Sequence, residues 1–542
     1  MAQRTPKTRR SAERLLYRGG YFGALFPLVV FLIGVAWLGL AGAPAETGLW
    51  PVLVLGLTVG LLLARDRHAY SEAVVSGMAQ PIVAVMILAW LFAGMLGALM
   101  NASGFVEALV WLAQEAGVTG AGYVLAAFAI SCAVSTSTGT SLGTLMLCAP
   151  LLYPAGGALG SDPIVLIGAI LGGATFGDNL SPASDTTIAS TVTQGANMGK
   201  VVRSRLRYAV PAAAMAVVVF AALGTSGVPP EVEAAILETS PAGLPMLLAP
   251  ALVVWLLLRH VHLVEGLLLG ILAAVILGLA LRRFELGEIF FIDPERFTGA
   301  GILVEGMERG VGVSIFTLLL MGLVAGVERS GVMKRLLDRA GERIDSPRAA
   351  ESWIFTTVSA ATLVTTHSVV ALLAVGRSVR ETGRRFGISP ERRANILDVT
   401  VCTYPFLLPY CIPTVFAAST TSSGSDFGMP VLSALPVGLA NFHSWALLLV
   451  ILVAVLTGWG RDGGTQPSSE VDEEIPESGS KAAHRIDSKE FGTFGIGELE
   501  ETIAEGPYTT ILSGDGTEIL DRSEELDEEL RRARDAVKDE SG

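Results

Sequence analysis

Residues 172–191 read GGATFGDNLSPASDTTIAST. Two carboxylates, Asp178 and Asp185, stand here with Asn179 among Ser181, Ser184, Thr186, Thr187, Ser190 and Thr191, and Pro182 falls between them. Oxygen donors of this kind suit a hard cation such as sodium. A carboxylate that holds either a cation or a proton is an exchange device, because a bound cation favours its ionised form and burial favours its protonated one. Proline lacks a backbone donor and leaves free the carbonyl four residues earlier, so Pro182 would release that of Asp178 as a further ligand. Asp178 is the expected shared ion and proton site, and Asp185 the second carboxylate; together they are the expected Na+ ligands. Blander readings stay open. Asp178 could cap the helix that follows Pro182, Asp185 could make a cap or a local backbone bond, and each hydroxyl could bond the carbonyl four residues earlier.

The surroundings give these acids their meaning. The chain has 542 residues, of which 51% are hydrophobic and 16% charged, where a soluble protein would carry about 25% charge. Mean hydropathy is +0.56, and several apolar runs reach the ~20 residues that span a bilayer. This is the composition of an all-α polytopic membrane protein. An acid placed within such a domain is costly and is a functional candidate by default. The 61 glycines suit close helix packing and broken helices. The net charge of −13 belongs to the tail, since residues 461–542 hold 23 acidic and 9 basic side chains. Cys132, Cys148, Cys402 and Cys411 lie in apolar segments and read as packing residues.

Charge asymmetry orders the crossings. Arg4, Lys7, Arg9, Arg10, Arg14 and Arg18 place residues 1–20 in the cytoplasm. The first apolar run, about 21–40, is long enough to span rather than to act as a cleaved signal. Lys200, Arg203, Arg205 and Arg207 read as a cytoplasmic cluster, as do Lys334, Arg335, Arg339, Arg343 and Arg348. The loop with Glu231, Glu233 and Glu238 reads as external. Two regions are apolar halves around a polar centre: 122–152, with Thr138, Thr140 and Ser141 in STSTGTSLGT, and 352–376, with His367 in TTHS. Each fits a re-entrant hairpin, which is tolerated where protein or water surrounds it. His367, with a reference pKa of about 6.5, could sense or relay protons or simply pack as a neutral ring. Asp398 is the acid of a later broken segment, ILDVTVCTYP.

An internal repeat links the halves. NASGFVEALV at 101–110 resembles ERSGVMKRLL at 328–337, an offset that sets Thr138-Gly139-Thr140 over Thr365-Thr366-His367. Beyond this the halves are expected to differ in length, with Asp178 and Asp398 in roughly corresponding places and Pro182 opposite Pro405 or Pro409. The leading spans run in opposite directions by the charge map, which makes the copies inverted, an arrangement that puts substrate near the midplane and permits alternating access.

The string GDNLSPASDTT resembles the signature of NhaC-type Na+/H+ antiporters, in which GD-K-LSP-SDTT is typical, and STSTGTSLGT resembles that family's Gly-Thr-Ser hairpin. The likeness covers about residues 20–457. It implies the fold of the broader ion-transporter superfamily, with paired hairpins and inverted repeats, and sodium–proton exchange across a prokaryotic plasma membrane. Three positions depart from the pattern. Asn179 stands where the family often has Lys, ILDVTVCTYP replaces an expected Glu-Asp-Ser-Gly-Thr string, and His367 occupies an expected Gly or Asn.

The expected molecule therefore has about 10–12 transmembrane helices, some discontinuous, with two re-entrant hairpins and inverted repeats at about 78–207 and 305–457. Its domains are a basic cytoplasmic N-terminus (1–20), the transmembrane transporter (21–457) and an acidic tail (458–542), with both termini cytoplasmic and the protein in the cell membrane. The expected ion and proton ligands are Asp178, Asn179, Ser181, Asp185, Thr186, Thr187, Thr138, Thr140, Ser141, His367 and Asp398. The expected partners are Na+, H+ and the lipid bilayer, with homodimerisation admitted, no nucleic acid, and no cofactor beyond the transported ions. The alternative is an Na+- or H+-coupled organic-anion or amino-acid carrier. Such a carrier calls for an intramembrane Arg or Lys to hold a carboxylate, and hydropathy puts none inside a clear span. A His-Glu-x-x-His site and a nucleotide-binding loop are both lacking in the sequence, which argues against a metalloprotease or an ATP-driven pump.

Overall fold

The computed structural model describes residues 14–41, 46–226, 239–259, 261–294, 297–332 and 344–461. Arg4 to Arg10, the acids Glu231, Glu233 and Glu238, the cluster Lys334 to Arg343 and the tail after Arg461 lie outside these residues. Among the described residues the chain is helical apart from one small antiparallel pair, β1 (Phe291–Asp293) and β2 (Thr298–Ala300). That pair departs from the all-α expectation, where the strand-favouring Phe290-Phe291-Ile292 meets a turn at Pro294.

The helices run α1 (Gly20–Leu40), α2 (Leu49–Leu63), α3 (Arg67–Met78), α4 (Pro81–Ala102), α5 (Phe105–Glu115), α6 (Ala121–Thr138) and α7 (Ser141–Leu152). There follow α8 (Pro163–Leu180), α9 (Asp185–Gln194), α10 (Met198–Leu223), α11 (Leu248–Leu258), α12 (Leu263–Ala280), α13 (Leu286–Ile289) and α14 (Ile302–Glu328). The last six are α15 (Pro347–Thr365), α16 (Ser368–Arg385), α17 (Pro390–Val401), α18 (Ile412–Thr420), α19 (Ala434–Leu439) and α20 (Phe442–Thr457). Among the described residues eight helices are long and apolar enough to cross a membrane, and 49–63, 141–156 and 442–457 are shorter apolar helices beside them. The helices α15 to α18 are missing from that set because they are short or polar, which hydropathy alone reads poorly.

The central helix is α8. Pro163 opens it at a position where the missing N–H costs nothing, and Asp162 caps it by accepting from Val165 N at 2.9 Å. Its glycines admit α6 at very close range: a Cβ on Gly173 would lie 2.6 Å from Phe128 O, and one on Gly177 would lie 2.2 Å from Thr136 N. Small residues of this kind let membrane helices approach backbone to backbone. Ser135 Oγ adds a 2.6 Å bond to Ala174 O. The helix ends when Ser181 N bonds Gly177 O; Pro182 cannot continue the ladder, and α9 begins after a gap of four residues.

The two hairpin regions break alike. The helix α6 ends at Thr138 with Gly139 at φ 72°, and α15 ends at Thr365 with Thr366 at φ 57°. From there α7 and α16 start at Ser141 and Ser368, α8 and α17 at Pro163 and Pro390, and α9 and α18 at Asp185 and Ile412. Every pair is 227 residues apart, so the spacing does not drift as expected. The helix α17 is shorter than α8, and a 3₁₀ turn at Tyr404–Phe406 takes up the difference. On this register Pro182 falls opposite Pro409, while Asp178 falls opposite Pro405. The two acids Asp178 and Asp398 are therefore not equivalent positions.

Candidate functional site

Asp178 lies in the last turn of α8, buried, and is not the cap of α9. Its Oδ2 accepts from Ser141 Oγ at 3.0 Å and its Oδ1 from Ser184 Oγ at 2.7 Å. Ser141 opens α7, so the first hairpin delivers it; Gly139, packed on Ala183, seats the hairpin tip against the break in α8–α9. The carbonyl of Asp178 is the one Pro182 leaves without a backbone donor, and Thr186 Oγ1 meets it at 3.4 Å. That hydroxyl also lies 3.0 Å from Ser184 Oγ. The result is a buried carboxylate among hydroxyls and a freed carbonyl, with no cationic side chain bonded to it among the described residues.

A second cluster adjoins the first. Asn179 Nδ2 donates to Asp398 Oδ2 at 3.0 Å, and Ser190 Oγ lies 3.5 Å from Asp398 Oδ1. Arg205, fully buried, pairs with Asp398 Oδ2 through Nη1 at 2.6 Å. The same nitrogen reaches Asn179 O at 2.6 Å and Thr187 Oγ1 at 2.8 Å, and Nε donates to Asn395 Oδ1 at 3.0 Å. One guanidinium thus ties α10 to both halves of the broken helix and to α17.

The other expected residues are spread around these clusters. Asp185 is the first residue of α9; it is exposed, accepts from Thr186 N at 2.7 Å, and interacts electrostatically with His367. His367 precedes α16 without capping it, and its Nδ1 has no hydrogen-bond partner. Ser181 Oγ accepts from Ala183 N at 3.2 Å, and Thr140 caps α7 by accepting from Gly143 N at 3.2 Å. Thr138 is not brought to the acids: its hydroxyl bonds Val134 O on its own helix at 2.8 Å.

Arg205, buried within the apolar helix Met198–Leu223, corrects the expectation that no basic residue lies inside a span. Charge density hid it, because Lys200, Arg203 and Arg207 flank it. A helical periodicity would have found it: Val201, Arg205, Tyr208, Ala212, Ala216 and Phe220 form the buried stripe of α10, and Arg205 is its charged member. A charge on a buried stripe requires a partner, and Asp398 supplies it. Ser184 and Ser190 are further contributors beyond the expected ligand set.

Residues 18–225 match the Na+/H+ antiporter family. The chain is 25% identical over 407 residues to the Na+/H+ antiporter NhaC of Alkalihalophilus pseudofirmus, covering 72% of this chain and 86% of that one. It is 27% identical over 215 residues to the malate-2H+/Na+-lactate antiporter of Bacillus subtilis, covering 39% of this chain and 43% of that one. It is 24% identical over 472 residues to the arginine/ornithine antiporter ArcD of Halobacterium salinarum, covering 82% and 93%. The family match takes in the broken helix with Asp178, the first hairpin and Arg205. With eight helices long and apolar enough to cross a membrane among its described residues, and a buried polar break within one of them, the chain is a multi-pass membrane protein whose residues 18–225 match the Na+/H+ antiporter family.

Proposed function

We propose that this protein exchanges Na+ for H+ across the plasma membrane by alternating access, with Asp178 carrying the cation and the proton in turn. The observation that carries this reading is the setting of Asp178: buried, bonded to Ser141 and Ser184, and without a cationic partner among the described residues. A hydroxyl can donate to a carboxylate and then turn its lone pairs to a cation. The same groups can therefore serve the empty and the loaded site. Thr186 and the freed Asp178 carbonyl add oxygen donors of the type a hard cation takes. Asp185, exposed at the start of α9 and beside His367, is proposed as the second carboxylate of this exchange.

The constant offset of 227 between helix starts supports reading the two halves as inverted repeats with paired hairpins, the architecture that permits alternating access about a central site. Within that reading both termini are cytoplasmic, and residues 458–542 form a separate acidic tail. Proton flux in inverted membrane vesicles on addition of NaCl tests the assignment. The wild type is expected to respond and Asp178→Asn to lose the response; an undiminished response in the variant would refute the role of Asp178.

A second reading, exchange of an organic ion, draws support from the names of two relatives and from the buried Arg205. The Arg205 guanidinium is already bonded to Asp398, so a substrate carboxylate would have to displace an existing ion pair. That favours the inorganic cation. Counterflow with malate, lactate or arginine, in vesicles that show no response to NaCl, would reverse the preference.

A further inference from the structure

The two clusters around the break in α8–α9 have nearly the same chemistry. One gathers a carboxylate, hydroxyls and a main-chain carbonyl around Asp178. The other gathers a carboxylate, a hydroxyl and a main-chain carbonyl around a single atom, Nη1 of Arg205, which has Asp398 Oδ2 at 2.6 Å, Asn179 O at 2.6 Å and Thr187 Oγ1 at 2.8 Å. Nearby, Asn395 Oδ1 accepts from Nε, and Asn179 Oδ1 is buried with no hydrogen-bond partner. All of these acceptors are oxygens, and three helices, α8, α9 and α17, supply them. Converging oxygens with one formal negative charge are a ligand set for a hard monovalent cation.

We propose that Arg205 is a tethered cation filling a second cation site built from Asp398, Thr187 and the Asn179 carbonyl. The guanidinium occupies that site permanently, neutralises Asp398 and leaves Asp178 and Asp185 as the acids without a fixed counter-charge. Arg205 is then a specificity-determining residue that limits how many free cations the chain can hold at once. Its place on the stripe of α10 explains how the charge stays put, since Nη1 and Nε are held by four partners and no part of the side chain reaches solvent. This inference rests on the cation-exchange reading only for its effect on transport; occupancy of the site can be tested without transport.

The test is thermal unfolding of the full-length protein in detergent, in choline chloride, with NaCl, KCl or dilute guanidinium chloride added. Arg205→Ala vacates the site, and Arg205→Ala/Asp398→Ala removes its charge. The single variant is expected to gain a saturable rise of several degrees with a small cation, beyond the wild-type response, and the double variant to lose that gain. A single variant no more responsive to cations than wild type overturns the proposal. If the single variant cannot be purified in choline, recovery in Na+, K+ or guanidinium supports the proposal. Failure in every cation overturns it, whether or not the double variant folds, because the guanidinium's shape rather than its charge would then be what the fold needs. An absent wild-type response to Na+ would count against Asp178 as a sodium site and would leave this comparison of variants intact.

Discussion

At the scale of single residues, hydroxyls bonded to Asp178 differ from those that bond only their own helix. Ser184 and Ser141 each donate to Asp178, and a hydrogen bond to a charged group contributes about 1.5–3 kcal/mol. Ser184→Ala is therefore expected to raise the Na+ concentration for half-maximal flux by about tenfold or more. Thr138→Ala removes only a bond within its own helix and is expected to leave that concentration unchanged. Flux titrations in vesicles check both. The acids of 172–191 were legible because charge among apolar runs stands out. Arg205 was not, because its neighbours Arg203 and Arg207 gave the whole segment the look of a cytoplasmic flank. Its stripe neighbours Val201 and Tyr208 held the information, which a reading by helical face extracts and a reading by charge count does not.

At the scale of elements, the break in α8–α9 and the first hairpin depend on the contact between α6 and α8. Gly177→Ala would set a Cβ against Thr136 N, a backbone atom that can yield only if α6 moves. Overpacking of this kind costs about 1–3 kcal/mol. The variant is expected to unfold at lower temperature and to lose flux, because the hairpin carries Ser141 away from Asp178; a thermal melt together with a vesicle assay would register both. The first hairpin was readable in its Ser/Thr/Gly centre. The second half was harder, since α16 and α17 carry Arg377, Arg380, Arg392 and Arg393 and fail a hydropathy test although much of α17 is buried. The offset of 227 was legible in NASGFVEALV and ERSGVMKRLL, and the helix starts carry it onward: Pro163 and Pro390 each open a helix after a capping side chain, Asp162 and Ser389.

At the scale of the whole molecule a buried charge network joins the ends of several helices. Glu351 at the start of α15 accepts from Arg392 Nε and Nη2, both at 3.1 Å, and from Arg461 Nη2 at 2.8 Å. Arg392 continues to Trp459 O at 3.0 Å and Ala454 O at 2.9 Å. The network fastens α15, α17 and the end of α20 where the chain leaves toward its acidic tail. Glu351→Gln would leave Arg392 buried without its counter-charge, a loss of about 3–5 kcal/mol where such pairs are broken. A clear fall in the thermal midpoint is expected, in contrast to Glu381→Gln, whose exposed pair with Arg377 contributes about 0–1 kcal/mol. Composition alone was enough to identify a membrane protein whose acidic excess lies in residues 461–542. No sequence pattern pointed to Glu351, because a single acid one turn into a helix opened by Pro347 reads as an ordinary surface residue.

If one carboxylate holds a cation and a proton by turns, the exchange is visible in equilibrium binding. Na+ binding to the purified protein in weakly buffered solution should release protons, and the apparent affinity should fall about tenfold per pH unit on the acid side, where Na+ must displace a bound proton. Asp178→Asn should neither bind Na+ at that site nor release the proton. Sodium binding that is unaffected by pH and unaccompanied by proton release would contradict the account.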